Sequence, residues 1–219
     1  MSDLDDAGRH RRRRRFGLVV SGALAVGLGA YALSGSGASA AAPSAHAAAS
    51  RPAVGSAPGL APDGTFTEPS GATETIASLR GRPIMLWFVA GGCASCAASI
   101  PAVAAHFSEL AGTGLRVVTL GLYGDFSPGR AGAEQLLRFA QEATPGRSVR
   151  QPGWEWGMAS QSLSLAYDPS GIPDLYVIIG PRGRIVYRNS VPVSTMGALL
   201  AEAKRIGEHT TATGSGGAD

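Results

Sequence analysis

Cysteine is scarce in this chain, with two among 219 residues. That excludes a disulfide-rich scaffold and a closed four-cysteine zinc site within one chain. Lysine is scarcer, with Lys204 alone against eighteen arginines, which reads as the codon bias of a GC-rich genome rather than as chemistry. Aromatic residues make up 6% and charged residues 16%. There is no phosphate-binding loop, no zinc-protease helix and no serine elbow. Gly27 and Gly29 make no dinucleotide fingerprint, since no strand precedes them and the spacing fails. Glycine (31) and proline (14) stay below the fraction of roughly 25–30% that marks wholesale disorder. Excess charge is also missing from most of the chain. Six of the nineteen basic residues and three of the sixteen acidic ones lie in residues 1–15, leaving thirteen of each sign elsewhere. The net charge of +3 therefore comes from one N-terminal run. Nucleic acid is not an expected partner, because that would require a basic face within the fold.

The arginines at 11–15 are followed by FGLVVSGALAVGLGAYAL, residues 16–33, which carry no charge. A helix of 18 such residues just reaches across a bilayer core, for which about 17–25 are used. The arginines before it should stay cytoplasmic, so the rest of the chain is expected outside. Two readings stand: an uncleaved signal anchor, or a signal peptide cut near Ala38-Ser39-Ala40. The expected location is the cytoplasmic membrane, single-pass with the domain outside, or secretion after cleavage. Residues 1–15 are then a basic cytoplasmic arm. Residues 34–60, rich in Ala, Ser, Gly and Pro, read as a flexible tether. Residues 210–219 read as a disordered tail. Residues 61–209 have the size of one domain.

Within the domain, residues 84–90 (IMLWFVA) form a continuous apolar run, as expected of a strand covered on both faces. A Gly-Gly-Cys turn leads into a helical stretch despite Pro101. Residues 115–123 form the next buried strand, and 131–143 have helical spacing at Leu136, Leu137 and Ala140. The segment around Trp154 and Trp156 reads as irregular with a short strand, one tryptophan packed and the other half-exposed. Residues 160–168 read as a short helix. Residues 174–180 and 184–190 form a hairpin, and an amphipathic helix with Leu199, Ala203 and Ile206 on one stripe closes the domain. The order β-α-β-α-β-β-α predicts an α/β fold, a central mixed sheet flanked by helices.

Cys93-Ala94-Ser95-Cys96 falls where the buried strand passes into a helix. Two cysteines three apart on a first helical turn can close a disulfide without distant movement. The first thiol meets unsatisfied N–H groups and the positive end of the helix dipole, which favours the nucleophilic thiolate. The second thiol, one turn deeper, can resolve a mixed disulfide. A disulfide closing so short a loop gains little stability from chain entropy, so a purely structural role is disfavoured.

These residues and several others resemble the thioredoxin superfamily, most closely its membrane-anchored TlpA/ResA-like thiol–disulfide oxidoreductases. The resemblance covers about residues 60–209. It rests on Ala61-Pro62-Asp63 and Leu79-Arg80-Gly81-Arg82-Pro83 before the first long strand, and on Trp87-Phe88-Val89-Ala90 ahead of Cys93 and Cys96. Pro101 within the active-site helix, Gly171-Ile172-Pro173, and the hairpin begun by Gly180-Pro181-Arg182-Gly183 complete it. The resemblance implies a thioredoxin-like fold with Cys93 as the attacking thiol and Cys96 as the resolving thiol. It implies a cis bond before Pro173 that leaves the backbone of Ile172 open to a substrate chain. Protein substrates are then engaged through transient mixed disulfides, with a membrane electron donor or a reoxidising partner. The redox-active pair is itself the cofactor, and no metal is expected.

The chain departs from the family pattern at three positions. Gly92 stands where a tryptophan usually precedes the first cysteine. Trp87 stands where relatives bury a carboxylate, and Ser99 where many carry glutamate. A buried acid would take the proton from the resolving thiol. Asp174, directly after Pro173, is the candidate substitute. An alternative function is a copper- or apocytochrome-handling protein that uses the two thiols as soft ligands. His106, thirteen residues beyond Cys93 on the same helix, points away from the thiols by helical geometry and reads as a solvent-facing residue.

Overall fold

The computed structural model of the chain describes residues 59–214, with side chains described through residue 209. The expected basic arm, the span at 16–33 and most of the tether lie outside the described residues. Among the described residues no helix is long and apolar enough to cross a membrane.

The apolar run at 84–90 forms β3 (Ile84–Val89), and all six of its residues are buried. Alternation along the strand explains this. Met85, Trp87 and Val89 face one hydrophobic cluster, while Ile84, Leu86 and Phe88 face another. The first cluster is closed by α1 (Ala94–Gly112), α2 (Gly129–Ala143) and α4 (Pro192–Gly214). The second is closed by α3 (Gln161–Tyr167) and a 3-10 turn at Ala77–Leu79.

The remaining strands are β1 (Thr65–Thr67), β2 (Thr73–Thr75), β4 (Arg116–Gly121), β5 (Trp154–Ala159), β6 (Leu175–Ile179) and β7 (Ile185–Ser190). They form one seven-stranded sheet in the order β2-β1-β5-β4-β3-β6-β7. β3, β4 and β5 run parallel, and the outer pairings are antiparallel. The expected mixed sheet between helices is present. The short β1–β2 hairpin was not anticipated, because three-residue strands rich in threonine carry no apolar run. It is held by register with β5, where Phe66 pairs with Ala159 and Thr67 with Met158.

The two tryptophans of β5 correct the sequence reading. Both are buried, and their rings stack with centroids 5.0 Å apart. Trp154 also stacks on Phe107 of α1 at 5.1 Å. Residues two apart on a strand share a face, so both enter the same cluster. Each indole N–H is satisfied, Trp154 donating to Thr119 Oγ1 and Trp156 to the carbonyl of Val149, both at 2.9 Å. α4 runs to Gly214, beyond the point where the sequence pattern fades.

Candidate active site

Every element of the site meets at the end of β3. The chain leaves Val89, turns through Gly91 and Gly92, and enters α1. Gly92 has φ +74°, with no atom within 4 Å of where a Cβ would sit. Its backbone conformation, rather than crowding, favours glycine at this position. A Cβ on Gly91 would stand 3.0 Å from the carbonyl oxygen of Asp125. The turn before the cysteines therefore abuts the loop that follows β4.

Cys93 is the N-cap of α1 and is joined by a disulfide to Cys96, with Cα atoms 5.2 Å apart. The backbone N–H of Cys96 donates to Cys93 Sγ at 3.1 Å. The Ser95 hydroxyl lies 3.3 Å from the same sulfur. Cys93 is half-buried and Cys96 is fully buried. The outer sulfur is thus the one open to attack, and helix donors converge on it as they would on a thiolate.

One turn along α1 from Cys96 lies Ser99, which is buried. Its hydroxyl donates to Asp174 Oδ2 at 3.0 Å and accepts from the N–H of Val193 at 3.2 Å. Trp87 Nε1 donates to Asp174 Oδ1 at 2.9 Å. Asp174 is completely buried. Its backbone has φ +69°, a left-handed conformation that aspartate tolerates better than most residues. Its N–H donates to the carbonyl of Phe88 and its carbonyl accepts from Val191, both at 2.8 Å. The carboxylate is therefore held by β3, α1 and the start of β6 together. Trp87 and Ser99 both donate to this one carboxylate. The sequence marked Asp174 as a substitute acid but not these two residues as its donors. The signal available was that both positions carry neutral hydrogen-bond donors.

Next to this cluster, burial pushes the Tyr176 phenol well above the ordinary tyrosine range, opposed by its hydrogen bond with Thr195. Ile172 is 63% exposed, and Pro173 is half-buried behind it. The N–H of Ile172 is taken by Asp168 Oδ1 at 3.0 Å, so only its carbonyl is open to a visiting chain. The sequence reading left the whole backbone of Ile172 open; the short reach of an aspartate four residues earlier closes half of it. His106 is exposed on α1 beside Glu109, at 3.7 Å. Among the described residues no group of three or more His, Cys, Asp or Glu side chains is arranged to hold a metal ion.

No protein-family model and no curated protein matches the chain. Solved structures do. A candidate protein disulfide isomerase from Bacteroides thetaiotaomicron superposes with a TM-score of 0.52 at 22% identity, over 69% of this chain and 92% of that one. A candidate electron transfer protein from Aquifex aeolicus VF5 also gives a TM-score of 0.52 at 22% identity, over 69% of this chain and 98% of that one. The thioredoxin domain of a thiol–disulfide oxidoreductase from Bacteroides vulgatus is similar at a TM-score of 0.48 and 13% identity, over 66% of this chain and 98% of that one. The sheet order, the helices on both faces and the two likenesses at a TM-score of 0.52 give the chain a thioredoxin-like fold.

Proposed function

We propose that this thioredoxin-like chain is a thiol–disulfide oxidoreductase that acts on protein substrates outside the cytoplasmic membrane. One observation carries the reading: Cys93 caps α1 as a half-buried residue whose sulfur accepts the N–H of Cys96, while Cys96 is fully buried. Starting from the dithiol, the Cys93 thiolate attacks a substrate disulfide and forms a mixed disulfide, releasing one substrate thiolate. The Cys96 thiol gives up its proton and attacks Cys93 Sγ. The second substrate thiolate leaves, the Cys93–Cys96 disulfide closes, and two electrons have passed to the substrate. The same steps run backwards from the disulfide form.

Asp174 is the proton acceptor for Cys96 in this scheme, reached along α1 through Ser99. The exposed Ile172, whose carbonyl stays open beside Pro173, aligns the substrate backbone beside the sulfurs. Main-chain hydrogen bonds of this kind carry little sequence information, which suits a range of protein partners. The apolar segment at 16–33 anchors the domain or directs its export, and a membrane electron donor or a reoxidising partner completes the cycle.

The test uses the full chain. Cys93→Ser abolishes exchange with a model disulfide, and Cys96→Ser accumulates mixed disulfides that resist non-reducing electrophoresis and disappear on reduction. Full activity in the Cys93 variant sinks the proposal. In intact cells, protease added from outside reaches the domain and leaves a cytoplasmic control protein untouched; protection of the domain overturns the location.

A further inference from the structure

Beside the dithiol turn, a cavity of about 310 Å³ opens between the loop after β4, α3 and the segment leading to Ile172. Its walls include Asp125, Asp168, Tyr123, Leu165 and Gly171, and no lysine or arginine. Asp168 is 5% exposed, and its Oδ2 is buried without a hydrogen-bond partner, its Oδ1 being taken by Ile172. A buried carboxylate oxygen in that state is costly unless something donates to it. Asp125 enters no ion pair among the described residues, and partial burial holds its carboxyl above the usual range with no cation to oppose it. Tyr123 and Leu165 are 52% and 55% exposed at the rim. Acidic walls under an apolar rim match a side chain with an aliphatic stem and a cationic head. The two carboxylates fall short of a metal cluster. The cavity adjoins the substrate path at both ends, since Gly171 precedes Ile172 and the Asp125 carbonyl abuts Gly91 two residues before Cys93.

We infer that this cavity is a specificity pocket for a lysine or arginine side chain of the protein substrate, within a few residues of the substrate cysteine. The inference rests on the exchange chemistry proposed for Cys93. An extended chain advances about 3.3 Å per residue, which sets that short range.

The experiment uses the reduced full chain and short peptides whose single cysteine is disulfide-linked to 2-mercaptoethanol. Lysine, norleucine or glutamate is placed in turn at each of the three positions on either side of the cysteine. Exchange releases the peptide thiol and 2-mercaptoethanol while Cys93–Cys96 becomes a disulfide. At one position or more, kcat/KM for lysine exceeds that for norleucine by about tenfold, the span expected of one charge-assisted hydrogen bond. The preference shrinks with added salt. The Asp125 side chain closes no hydrogen bond or ion pair among the described residues, so Asp125→Asn breaks none of these. That variant brings the lysine peptide down to the norleucine rate. Equal rates for lysine and norleucine at every position, alongside normal turnover of bis(2-hydroxyethyl) disulfide, overturn the pocket alone. A lysine preference that Asp125→Asn leaves intact overturns it too. Failure to turn over bis(2-hydroxyethyl) disulfide overturns the exchange chemistry and the pocket with it.

Discussion

At the scale of single residues, Asp174 is the most constrained position near the dithiol. It combines complete burial, a left-handed backbone and two side-chain donors. Such a combination persists only where the surroundings over-determine it, and here both its backbone groups are bonded to neighbouring segments. Asp174→Asn keeps the size of the side chain and removes the charge. If Asp174 takes the Cys96 proton, the lifetime of the mixed disulfide lengthens by about a hundredfold. The first attack by Cys93 keeps its rate. Rapid acid quench followed by thiol trapping measures both steps, and an unchanged lifetime removes Asp174 from the mechanism. The cysteines were legible at this scale because their spacing and position at a strand–helix junction carry the chemistry locally. Trp87 and Ser99 were legible only as absences, since their partner is far along the chain.

At the scale of elements, α1 and β5 behave differently toward the sequence. α1 begins where the turn glycines end, and its cap is the reactive cysteine itself, so the helix start and the site are the same feature. Pro101 sits inside this helix, as its position had indicated. β5 lies in a stretch whose sequence reads as irregular with a short strand. In the structure a side chain at Gly157 would meet Phe66 Cδ2 at 2.7 Å, so this glycine lets β1 close against β5. The stacked pair Trp154 and Trp156 then pins α1 to the sheet through Phe107. Trp154→Ala opens a cavity there and leaves Thr119 without its donor. We expect a loss of about 3–5 kcal/mol, read as a lower denaturant midpoint, with the exchange rate per folded molecule unchanged. A loss under about 1 kcal/mol would show that the stack contributes little to holding α1.

At the scale of the whole molecule, two tyrosines tie the faces of the sheet to pH. Burial raises both Tyr167 and Tyr176 above the ordinary phenol value, Tyr167 on the α3 face and Tyr176 on the α1 face. A phenol whose folded pKa lies above its unfolded one stabilises the fold fully below about pH 10. That contribution is lost as pH rises beyond it, because the unfolded chain ionises first. Denaturant midpoints should therefore be flat across pH 8–9.5 and fall steeply above about pH 10. Tyr167→Phe should flatten part of that fall, and an identical fall in the variant would assign it to other groups. The direction of electron flow also belongs to this scale. A Cys93–Cys96 potential near about −270 mV makes the domain a donor of electrons, and one near about −120 mV makes it a donor of disulfides.

The dithiol, the buried strand before it, the hairpin and the alternation of strands and helices are all written locally along the chain. Each is a pattern among neighbours along the chain, where hydrophobic period and turn chemistry act within a few residues. What surrounds the dithiol depends instead on contacts between distant segments. Asp174 meets Ser99 across 75 positions and Trp87 across 87, and such pairs form only when β6 docks beside β3 and α1 lies over both. The cavity at Asp125 and Asp168 is likewise assembled from segments that no local pattern joins. Short-range physics wrote the elements, and burial across the sheet selected which polar groups had to find one another.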